Sequence, residues 1–343
     1  MEKVRVVLYG VGAMGSHIAK FLLEKEGVEV VGAIDVAEDK VGKDLGEVLG
    51  LDKQLSIAVS NDPDAVFSRV KADIMVHATT SFLKQVYPQI AKALEHGVNV
   101  VSTCEELAYP YITEPMLAQK LDKLARKHGV TVLGTGINPG FIMDTLAITL
   151  TGVCQKVERI KVTRIINAAT RRVPFQKKIG AGLSVKEFRD RIERKTITGH
   201  VGLEQSISMI ASALGWELDE IEVDPTEPIV AKTPVESEAI RVEPDQVAGL
   251  RQCSRGITGG REVITLDLQA YIGAEEEYDS ISIEGLPSLH MKIAPCIHGD
   301  IGTVAIIVNS IPKVLKAPPG LVTMKNLPIP SAVLKDMRKY IHQ

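Results

Sequence analysis

Short apolar runs and stretches with helical spacing alternate along the chain up to about residue 150. Apolar runs rich in Val and Ile predict buried strands, and apolar residues three or four positions apart predict helices. Strands are predicted at residues 4–9, 28–34, 72–78, 98–107 and 130–134. Helices are predicted between them at residues 16–25, 82–96 and 114–128. This β-α alternation predicts an α/β fold with a doubly wound parallel Rossmann sheet.

The hydrophobic pattern changes beyond about residue 150, where apolar and polar positions alternate within each run. Half-buried strands are predicted at residues 157–166, 262–272, 278–283 and 290–294, and helices at 185–194, 202–214, 303–315 and 332–341. The pattern predicts a second α+β domain that carries an open sheet. We therefore expect a dinucleotide-binding Rossmann domain at 1–148, a substrate and dimerisation domain at 149–302, and a late helix and tail at 303–343 that return to the Rossmann domain.

A glycine-rich turn separates the first predicted strand from the first predicted helix. Gly10, Gly12 and Gly15 form the pattern G-x-G-x-x-G. The first glycine makes a tight turn, the second lets the backbone approach a pyrophosphate, and the third lets the helix pack on the strand. Ala13 and Met14 stand at the start of the helix, where backbone amides and the helix dipole face a phosphate. The turn predicts binding of NAD or NADP; a glycine turn without a cofactor is the alternative.

Asp35 ends the second predicted strand, 20 residues after Gly15. A carboxylate at this position accepts hydrogen bonds from the hydroxyls of the adenosine ribose and repels a 2′-phosphate, so Asp35 favours NAD. Lys40 and Lys43 follow in a polar segment and could meet a 2′-phosphate, which leaves NADP open. We interpret both lysines as solvated loop charges.

Polar residues at the carboxyl ends of the later strands are candidates for contact with the cofactor and the substrate, because ligands of open parallel sheets lie beyond that edge. The expected cofactor contacts there are Ala78, Thr79, Thr80 and Asn138. Asn138 and Pro139 could also contact the substrate, although Asn-Pro-Gly closes a turn readily.

Two adjacent glutamates, Glu105 and Glu106, follow Cys104 at the end of the predicted strand 98–107. Successive strand side chains point to opposite faces, so only one glutamate can face the site. We expect Glu105 to be the catalytic base, because a partly desolvated carboxylate has a raised pKa and takes a proton from an ammonium or an attacking water. The alternative is that both glutamates cap the turn before Tyr109.

Several residues of the second half could bind a substrate. Arg171 could hold a carboxylate through its planar guanidinium, as could Arg164 and Arg172, or all could form a solvated basic edge. The other expected substrate contacts are the loop residues His200 and His298 and, at the start of the late helix, Thr303. Cys296, His298 and Asp300 are too few for a metal site, so we expect no metal.

Composition and charge are those of an ordinary soluble globular protein, with 343 residues, 45% hydrophobic and 24% charged. The net charge of -3 gives no electrostatic case for binding nucleic acid or an anionic membrane. No apolar run suggests a membrane span, and the early first strand leaves no room for a signal peptide. The four cysteines form no C-x-x-C pair, so neither a zinc knuckle nor a disulfide framework is indicated. We expect a reduced, cytoplasmic enzyme.

Taken together, these motifs resemble the dihydrodipicolinate-reductase-like dehydrogenases, and within them the family of 2,4-diaminopentanoate dehydrogenase and the native amine dehydrogenases. The resemblance covers essentially the whole chain and rests on residues 10–15, 100–107, 136–141 and 299–303. True dihydrodipicolinate reductases have a His-His-x-x-x-Lys signature that this chain lacks. Homoserine dehydrogenases have a lysine where this chain has Glu105.

The resemblance implies NAD(P)-dependent, reversible oxidative deamination of an amine to a ketone and ammonia, with Glu105 carrying protons. The implied substrate is 2,4-diaminopentanoate, whose carboxylate needs a cation and whose second amine needs acceptors. A homodimer is also implied, with the second-domain sheet or the late helix at its interface. Two alternatives stay open: an NAD(P)H-dependent imine or semialdehyde reductase of the dihydrodipicolinate reductase or homoserine dehydrogenase type, and a non-catalytic NAD(P)-sensing protein.

Overall fold

The chain folds into two compact units in a computed structural model that describes residues 2–341. Within the described residues, unit 1 comprises residues 2–141 and 299–341, and unit 2 comprises Ile142–His298. The boundaries therefore lie at 141/142 and 298/299, a few residues before the expected 148/149 and 302/303. Among residues 2–341 no helix has the length and hydrophobicity that crossing a membrane requires.

The strands and helices are numbered separately in chain order. The strands are β1 (Val4–Tyr9), β2 (Val28–Ile34), β3 (Val59–Ser60), β4 (Ile74–His77), β5 (Asn99–Ser102), β6 (Thr131–Gly134), β7 (Lys156–Asn167), β8 (Glu220–Val223), β9 (Glu227–Val230), β10 (Val235–Glu236), β11 (Arg241–Val242), β12 (Val247–Thr258), β13 (Arg261–Tyr271), β14 (Tyr278–Leu286), β15 (Leu289–Ile293) and β16 (Gly320–Val322). The helices are α1 (Ala13–Leu23), α2 (Leu45–Val48), α3 (Pro63–Arg69), α4 (Leu83–Glu95), α5 (Pro115–His128), α6 (Thr145–Thr151), α7 (Val173–Lys178), α8 (Val185–Glu193), α9 (Leu203–Leu214), α10 (Gly299–Lys316) and α11 (Arg338–Ile341).

Unit 1 is built on a parallel sheet with the strand order β3-β2-β1-β4-β5-β6-β16. Every neighbouring pair of strands in it is parallel. Its central strands are mainly apolar because helices cover both faces, and Val6, Val7 and Leu8 of β1 are almost fully buried. The order 3-2-1-4-5-6 is that of dinucleotide-binding folds, so the predicted Rossmann sheet is confirmed.

Unit 2 carries a mixed open sheet in the order β15-β14-β7-β13-β12-β8, with β9 also paired to β12. The β7–β13 pair is parallel and the other pairs are antiparallel. One face is buried and the other is more open: along β7, Ile160 and Val162 are buried while Lys161 between them is exposed. Helix α9 packs on β12, where Gly256 leaves space for Ile207. The predicted second α+β domain with an open sheet is confirmed.

Three predicted elements have the wrong extent. The strand predicted at 98–107 ends at Ser102, because the chain then turns into a 3-10 helix at Glu106–Ala108. The late helix begins at Gly299, before the expected start at residue 303. The helix predicted at 332–341 shrinks to Arg338–Ile341, because the backbone of Val333 bonds outward, to Asn309 and to Lys25, instead of along a helix.

Candidate cofactor and active site

The glycine turn after β1 leaves room for a dinucleotide at one of its three glycines. A Cβ on Gly10 would lie 2.3 Å from the carbonyl oxygen of Ala78, and one on Gly15 would lie 1.9 Å from that of Gly10. Gly10 also has φ +92°, in the left-handed region. A Cβ on Gly12 would meet nothing within 4 Å. The first and third glycines therefore allow close packing inside unit 1, whereas Gly12 faces open space of the kind that a pyrophosphate needs.

The N-terminus of α1 follows this turn directly and fits an anionic group. Gly12 is the N-cap and offers no side-chain acceptor, and the first turn contains no acidic residue. The amides of Ala13, Met14 and Gly15 have no carbonyl four residues earlier within the helix to bond to. Together with the positive end of the helix dipole, they suit the phosphates of NAD or NADP.

Asp35 lies just beyond the end of β2 and is joined to the glycine turn. Its Oδ2 accepts hydrogen bonds from the Val11 amide (2.7 Å) and from Lys40 Nζ (3.1 Å), and its Oδ1 accepts one from the Ala37 amide (2.9 Å). Burial alone would raise the pKa of the carboxyl, but the two amides and Lys40 outweigh it, and the net pKa is lowered. Asp35 is therefore ionised at neutral pH and keeps acceptor capacity for further hydroxyl donors.

The two lysines after Asp35 differ in their environment. Lys40 is largely buried and pairs with Asp35, whereas Lys43 is half exposed and pairs with Glu47 at 3.3 Å. The interpretation as a solvated loop charge therefore holds for Lys43. It is wrong for Lys40, because Lys40 pairs with Asp35 and compensates part of its charge.

The turn after β4 carries the three predicted cofactor contacts of this strand end. The carbonyl of Ala78 abuts Gly10, Thr79 is exposed, and the Thr80 hydroxyl donates a hydrogen bond to Gln85 at 3.0 Å. These residues and the glycine turn therefore lie side by side at the carboxyl edge of the sheet in unit 1.

A buried polar network lies directly behind this turn. His77, at the end of β4, has no exposed surface; its Nδ1 lies 2.8 Å from Ser102 Oγ and its Nε2 lies 2.7 Å from Gln89 Oε1. Thr79 Oγ1 lies 3.0 Å from the same Nε2, and the Cys104 amide donates to Ser102 Oγ at 3.1 Å. Burial lowers the pKa of His77 to about 4, so the imidazole is neutral at pH 7. The sequence did not single out His77, Gln89 or Ser102.

The turn after β5 presents the two glutamates differently. Glu105 has helical backbone angles (φ −63°, ψ −44°), so the strand alternation expected at this point does not apply. The carboxylate of Glu106 accepts a 2.6 Å hydrogen bond from the Leu83 amide and so caps the N-terminus of α4. Glu105 is partly exposed and lies one residue beyond Cys104, whose thiol has a pKa raised to about 12 by burial. Glu106 therefore caps α4, whereas the alternative had both glutamates capping the turn before Tyr109.

The loop 135–141 after β6 holds the predicted Asn138 and Pro139 and lies against Thr303 of α10. The Ile137 amide donates a hydrogen bond to Thr303 Oγ1 at 3.4 Å. Gly140 has φ +124°, and a Cβ there would lie 2.5 Å from the Gly136 amide nitrogen, so the loop closes tightly on itself. Thr303, Asn138 and Pro139 are therefore brought together within unit 1.

In unit 2, Arg171 lines a cavity of about 790 Å³. The guanidinium lies over the Phe175 ring, 4.5 Å from its centroid, and the Arg171 carbonyl accepts a 2.7 Å hydrogen bond from the buried Gln176 side chain. The cavity is lined by Ala169, Thr170, Arg171, Arg172, Val173, Gln176, Glu236, Ser237, Glu238 and Ala239. Cationic and anionic groups therefore face the same space.

The backbone of His200 is held by Gln252, whose Oε1 accepts the His200 amide (2.8 Å) and whose Nε2 donates to the His200 carbonyl (3.2 Å). Nε2 of the imidazole is shielded from water and has no hydrogen-bond partner among the described residues. Burial, with the positive charges of Lys178 and Arg164, lowers the pKa of His200 to about 3. The ring is therefore neutral and offers one unused polar atom.

Arg164 is not available for a substrate carboxylate, contrary to one of the sequence interpretations. It forms a fully buried ion pair with Asp279 (2.8 Å) and donates to the Ile297 carbonyl. Asp279 in turn accepts the Ile297 amide at 2.8 Å. The pair therefore fixes the backbone immediately before His298, which is itself partly buried.

Within residues 2–341 no group of three or more His, Cys, Asp or Glu side chains is arranged to hold a metal ion. The structure instead groups the sequence candidates by unit. Unit 1 holds Glu105, the cofactor candidates, Pro139 and Thr303, and unit 2 holds Arg171, His200 and His298. The parallel sheet, the glycine turn and the open N-terminus of α1 define a Rossmann-type dehydrogenase.

Comparison with known proteins narrows this class. Residues 141–343 match the family model of the 2,4-diaminopentanoate dehydrogenase C-terminal domain, and residues 4–106 match that of the dihydrodipicolinate reductase N-terminus. The chain is 37% identical to 2,4-diaminopentanoate dehydrogenase of Acetoanaerobium sticklandii, over 100% of this chain and 98% of that protein. The chain belongs to the 2,4-diaminopentanoate dehydrogenase family, which confirms the resemblance drawn from its motifs.

Solved structures agree with this assignment. The amine dehydrogenase of Mycobacterium smegmatis superposes with a TM-score of 0.84 at 32% identity, covering 97% of this chain and 98% of that one. The dipicolinate-bound dihydrodipicolinate reductase of Paenisporosarcina sp. TG-14 superposes with a TM-score of 0.55 at 14% identity, covering 94% and 99%, and so shares the fold.

Proposed function

We propose that this protein catalyses the NAD(P)-dependent oxidative deamination of 2,4-diaminopentanoate to 2-amino-4-oxopentanoate, with Glu105 as the proton carrier. The assignment of Glu105 rests on one observation: the two adjacent glutamates have different environments. Glu106 is committed to the N-terminus of α4 through the Leu83 amide. Glu105 stands beside it on a turn at the carboxyl edge of the sheet, where ligands of this fold bind.

In the proposed reaction the C4 ammonium, NAD(P)⁺ and water give a ketone, ammonium, NAD(P)H and one proton. When bound, NAD(P)⁺ would supply the acceptor for the hydride that C4 loses. Glu105 takes a proton from the C4 ammonium, so that the nitrogen lone pair can form the C=N bond as the hydride leaves. After it has released this proton to solvent, the same carboxylate takes a proton from the water that attacks C4 and returns it to the departing nitrogen.

We propose that the remaining site residues bind the substrate's amino-acid end and orient C4. Arg171, supported from behind by the Phe175 ring, suits the carboxylate. The neutral Nε2 of His200 suits the second ammonium as a hydrogen-bond acceptor, because its pKa of about 3 keeps the ring uncharged. We assign substrate contacts to Asn138, Pro139, Thr303 and His298 as well.

The test of this function compares two isosteric variants of neighbouring residues. With racemic 2,4-diaminopentanoate and NAD⁺, Glu105→Gln is expected to lower kcat by about 100-fold or more, because the amide cannot accept the proton. Glu106→Gln keeps an oxygen for the Leu83 amide and is expected to stay within about threefold of wild type. Absorbance of the reduced cofactor measures both. Equal losses in the two variants, or wild-type turnover of the ketone that needs no ammonia, would reject the assignment.

For the cofactor we propose a preference for NAD, with contacts from Gly10, Gly12, Ala13, Met14, Gly15, Asp35, Ala78, Thr79, Thr80 and Asn138. The ionised Asp35 supports this preference, and Lys40 moderates it by compensating part of the charge. Lys40→Met should therefore lower kcat/KM for NADP relative to NAD by about fivefold, which corresponds to about 1 kcal/mol. An unchanged ratio would show that Lys40 has no part in the selection. Lys43→Met, at the exposed pair with Glu47, is the matched control.

We also propose a homodimer in the cytoplasm. The family resemblance supports the dimer, and the four free cysteines support a reducing compartment. Light scattering coupled to size-exclusion chromatography tests the dimer, and a monomeric mass at assay concentration would reject it.

A further inference from the structure

His77 lies between two parts of the candidate site in unit 1. On one side it contacts Thr79, which follows β4 and is a proposed cofactor contact. On the other side it contacts Ser102, the last residue of β5. The chain from Ser102 to Glu105 is only three residues long, and the Cys104 amide within it bonds back to Ser102 Oγ at 3.1 Å. The imidazole of His77 is thus within hydrogen-bond distance of Thr79, which follows β4, and of Ser102, which ends β5.

The partners of His77 determine which ring nitrogen carries the proton. Gln89 Oε1 is an amide oxygen and can only accept, so Nε2 of His77 donates to it at 2.7 Å. Nδ1 is then unprotonated and accepts the Ser102 hydroxyl proton at 2.8 Å. With its own proton directed to the imidazole, the Ser102 oxygen accepts the Cys104 amide. The direction of each hydrogen bond is therefore set by the one before it.

The His77 network is one of several sets of contacts that hold the turn, and it acts on the segment 103–105 together with the Cys104 thiol, which donates to the Ser81 carbonyl at 3.2 Å. The Thr103 amide donates to the His77 carbonyl at 3.0 Å, so both the backbone and the ring of His77 support the turn. The Glu106 amide donates to the Ser81 carbonyl, and the Glu106 carboxylate caps α4. Glu105 is the residue between these two anchored stretches, and its backbone direction depends on both.

We propose that His77 is a positioning residue that holds the Glu105 turn through Ser102 and the Cys104 amide, and that joins it to Thr79 on the cofactor side. The inference rests on the proposed role of Glu105. It assigns no proton transfer to His77, which stays buried and neutral. Its function is to fix the direction of the carboxylate, since small misplacements of a catalytic group slow the chemical step strongly.

The test uses two substitutions that remove the same atom from fully buried serines of unit 1. Ser102→Ala removes the hydroxyl between His77 and the Cys104 amide. Ser310→Ala, in α10, removes a hydroxyl that has no hydrogen-bond partner among the described residues and is only 1% exposed. Ser102→Ala should lower kcat about tenfold and displace the acidic limb of the kcat/KM pH profile, while the affinity for NADH stays within about twofold. Ser310→Ala should change none of these.

A second variant covers the case in which Ser102→Ala does not fold. Gln89 is only partly buried, and Gln89→Leu removes the acceptor that holds the proton on Nε2. It should lower kcat about threefold with the NADH affinity unchanged within about twofold. A wild-type kcat and pH profile in the folded Ser102→Ala protein, or in Gln89→Leu when Ser102→Ala does not fold, would overturn the proposal. Equal losses in Ser102→Ala and Ser310→Ala would do the same.

A measurement without turnover separates this inference from the proposed function. In the ¹⁵N spectrum of labelled histidine, His77 should carry its proton on Nε2 and should not titrate above about pH 5. Ser102→Ala should shift the Nδ1 resonance of His77. If the wild-type protein oxidised no amine, the proposed function would fail while this spectrum still tested the network. A proton on Nδ1, or an Nδ1 resonance that Ser102→Ala leaves unchanged, would contradict the network itself.

Discussion

His77 in unit 1 and His200 in unit 2 are both neutral at pH 7 because burial lowers their pKa values, yet their surroundings differ. Both ring nitrogens of His77 have protein partners, in Ser102 and Gln89. At His200 the protein holds the backbone, through Gln252, and leaves Nε2 without a partner among the described residues.

The difference shows how the same side chain serves two purposes. A buried polar atom without a partner costs about 1–3 kcal/mol, so a protein keeps one only where something else compensates for it. At His77 both ring nitrogens form hydrogen bonds within the protein, so the residue belongs to the scaffold. At His200 a substrate ammonium would donate the missing hydrogen bond to Nε2, which fits the proposed role of this residue. Replacing each histidine by the same residue therefore distinguishes a structural role, which affects stability, from a substrate-binding role, which affects catalysis.

The largest effect is expected on stability when His77 is replaced by Phe. The larger phenyl ring offers no polar atom in this fully buried place, so the Ser102 hydroxyl loses its acceptor and Gln89 Oε1 keeps only the Thr79 hydroxyl; the free energy of unfolding should fall by about 3 kcal/mol. The same change at His200 removes an unpaired atom and should cost less than about 1 kcal/mol. Urea unfolding measures both. Equal losses would mean that the difference in partners has no energetic consequence.

The next effect is expected on catalysis when His200 is replaced by Phe. Loss of a hydrogen bond to a charged group should lower kcat/KM for 2,4-diaminopentanoate by about 30-fold, equal to about 2 kcal/mol. Pentan-2-amine lacks both the carboxylate and the second amine, and its kcat/KM should stay within about twofold of the wild-type value. A parallel loss with both amines would remove His200 from the recognition of the amino-acid end.

A smaller effect concerns the pH dependence of stability. Both histidines have folded-state pKa values below the value of about 6.5 in the unfolded chain, so the unfolded state binds more protons in between. The contribution of these two histidines to the free energy of unfolding is complete above about pH 6.5. It declines as the pH falls, by up to about 1.4 kcal/mol per pH unit for each histidine. The decline from His77 ends near its pKa of about 4, and that from His200 near about 3. Urea titrations of His77→Phe should show a shallower slope; an unchanged slope would contradict this account.

The smallest effect is expected for Thr79→Val. The hydroxyl lies 3.0 Å from His77 Nε2 and donates to Gln89 Oε1 at 2.9 Å. Because Thr79 is exposed, water can replace these contacts, and the free energy of unfolding should fall by only about 0.5 kcal/mol. KM for NAD⁺ should rise by about threefold if Thr79 contacts the cofactor. A larger loss of stability than in His77→Phe would place the centre of the network at Thr79, and thermal unfolding with initial rates measures both quantities.

The sequence predicted those features that depend on neighbouring residues. The glycine turn, the Rossmann alternation and the helix spacing are all local patterns. The expectation that only one of Glu105 and Glu106 faces the site rested on strand alternation, which fails because β5 ends at Ser102; the structural reason for separating the two is the contact of Glu106 with Leu83. His77 is an ionisable residue directly after the apolar residues 74–76, and this could have singled it out from the sequence.

Features that depend on distant residues were not predictable from one sequence. Arg164 was a candidate for binding a carboxylate, but its partner is Asp279, more than a hundred positions later. His200 is held through its backbone by Gln252, 52 positions later, and neither this contact nor the lack of a partner for its Nε2 among the described residues follows from a local pattern. Lys40 is a nearer case: its partner Asp35 is only five residues earlier, but the hydrophobic pattern does not show that the loop turns back and brings the two together.

The last strand of the unit 1 sheet, β16, has a consequence for the order in which the protein is made. β16 pairs with β6 through Gly320, Leu321 and Val322, but the ribosome synthesises all of unit 2 between these two strands. The growing chain must therefore carry the unpaired edge of β6 until unit 2 and the residues up to Val322 have emerged. Exposed strand edges are where nascent chains aggregate. Translation that stalls within unit 2 would leave that edge open, and the sheet of unit 1 is completed only after all of unit 2 has been synthesised.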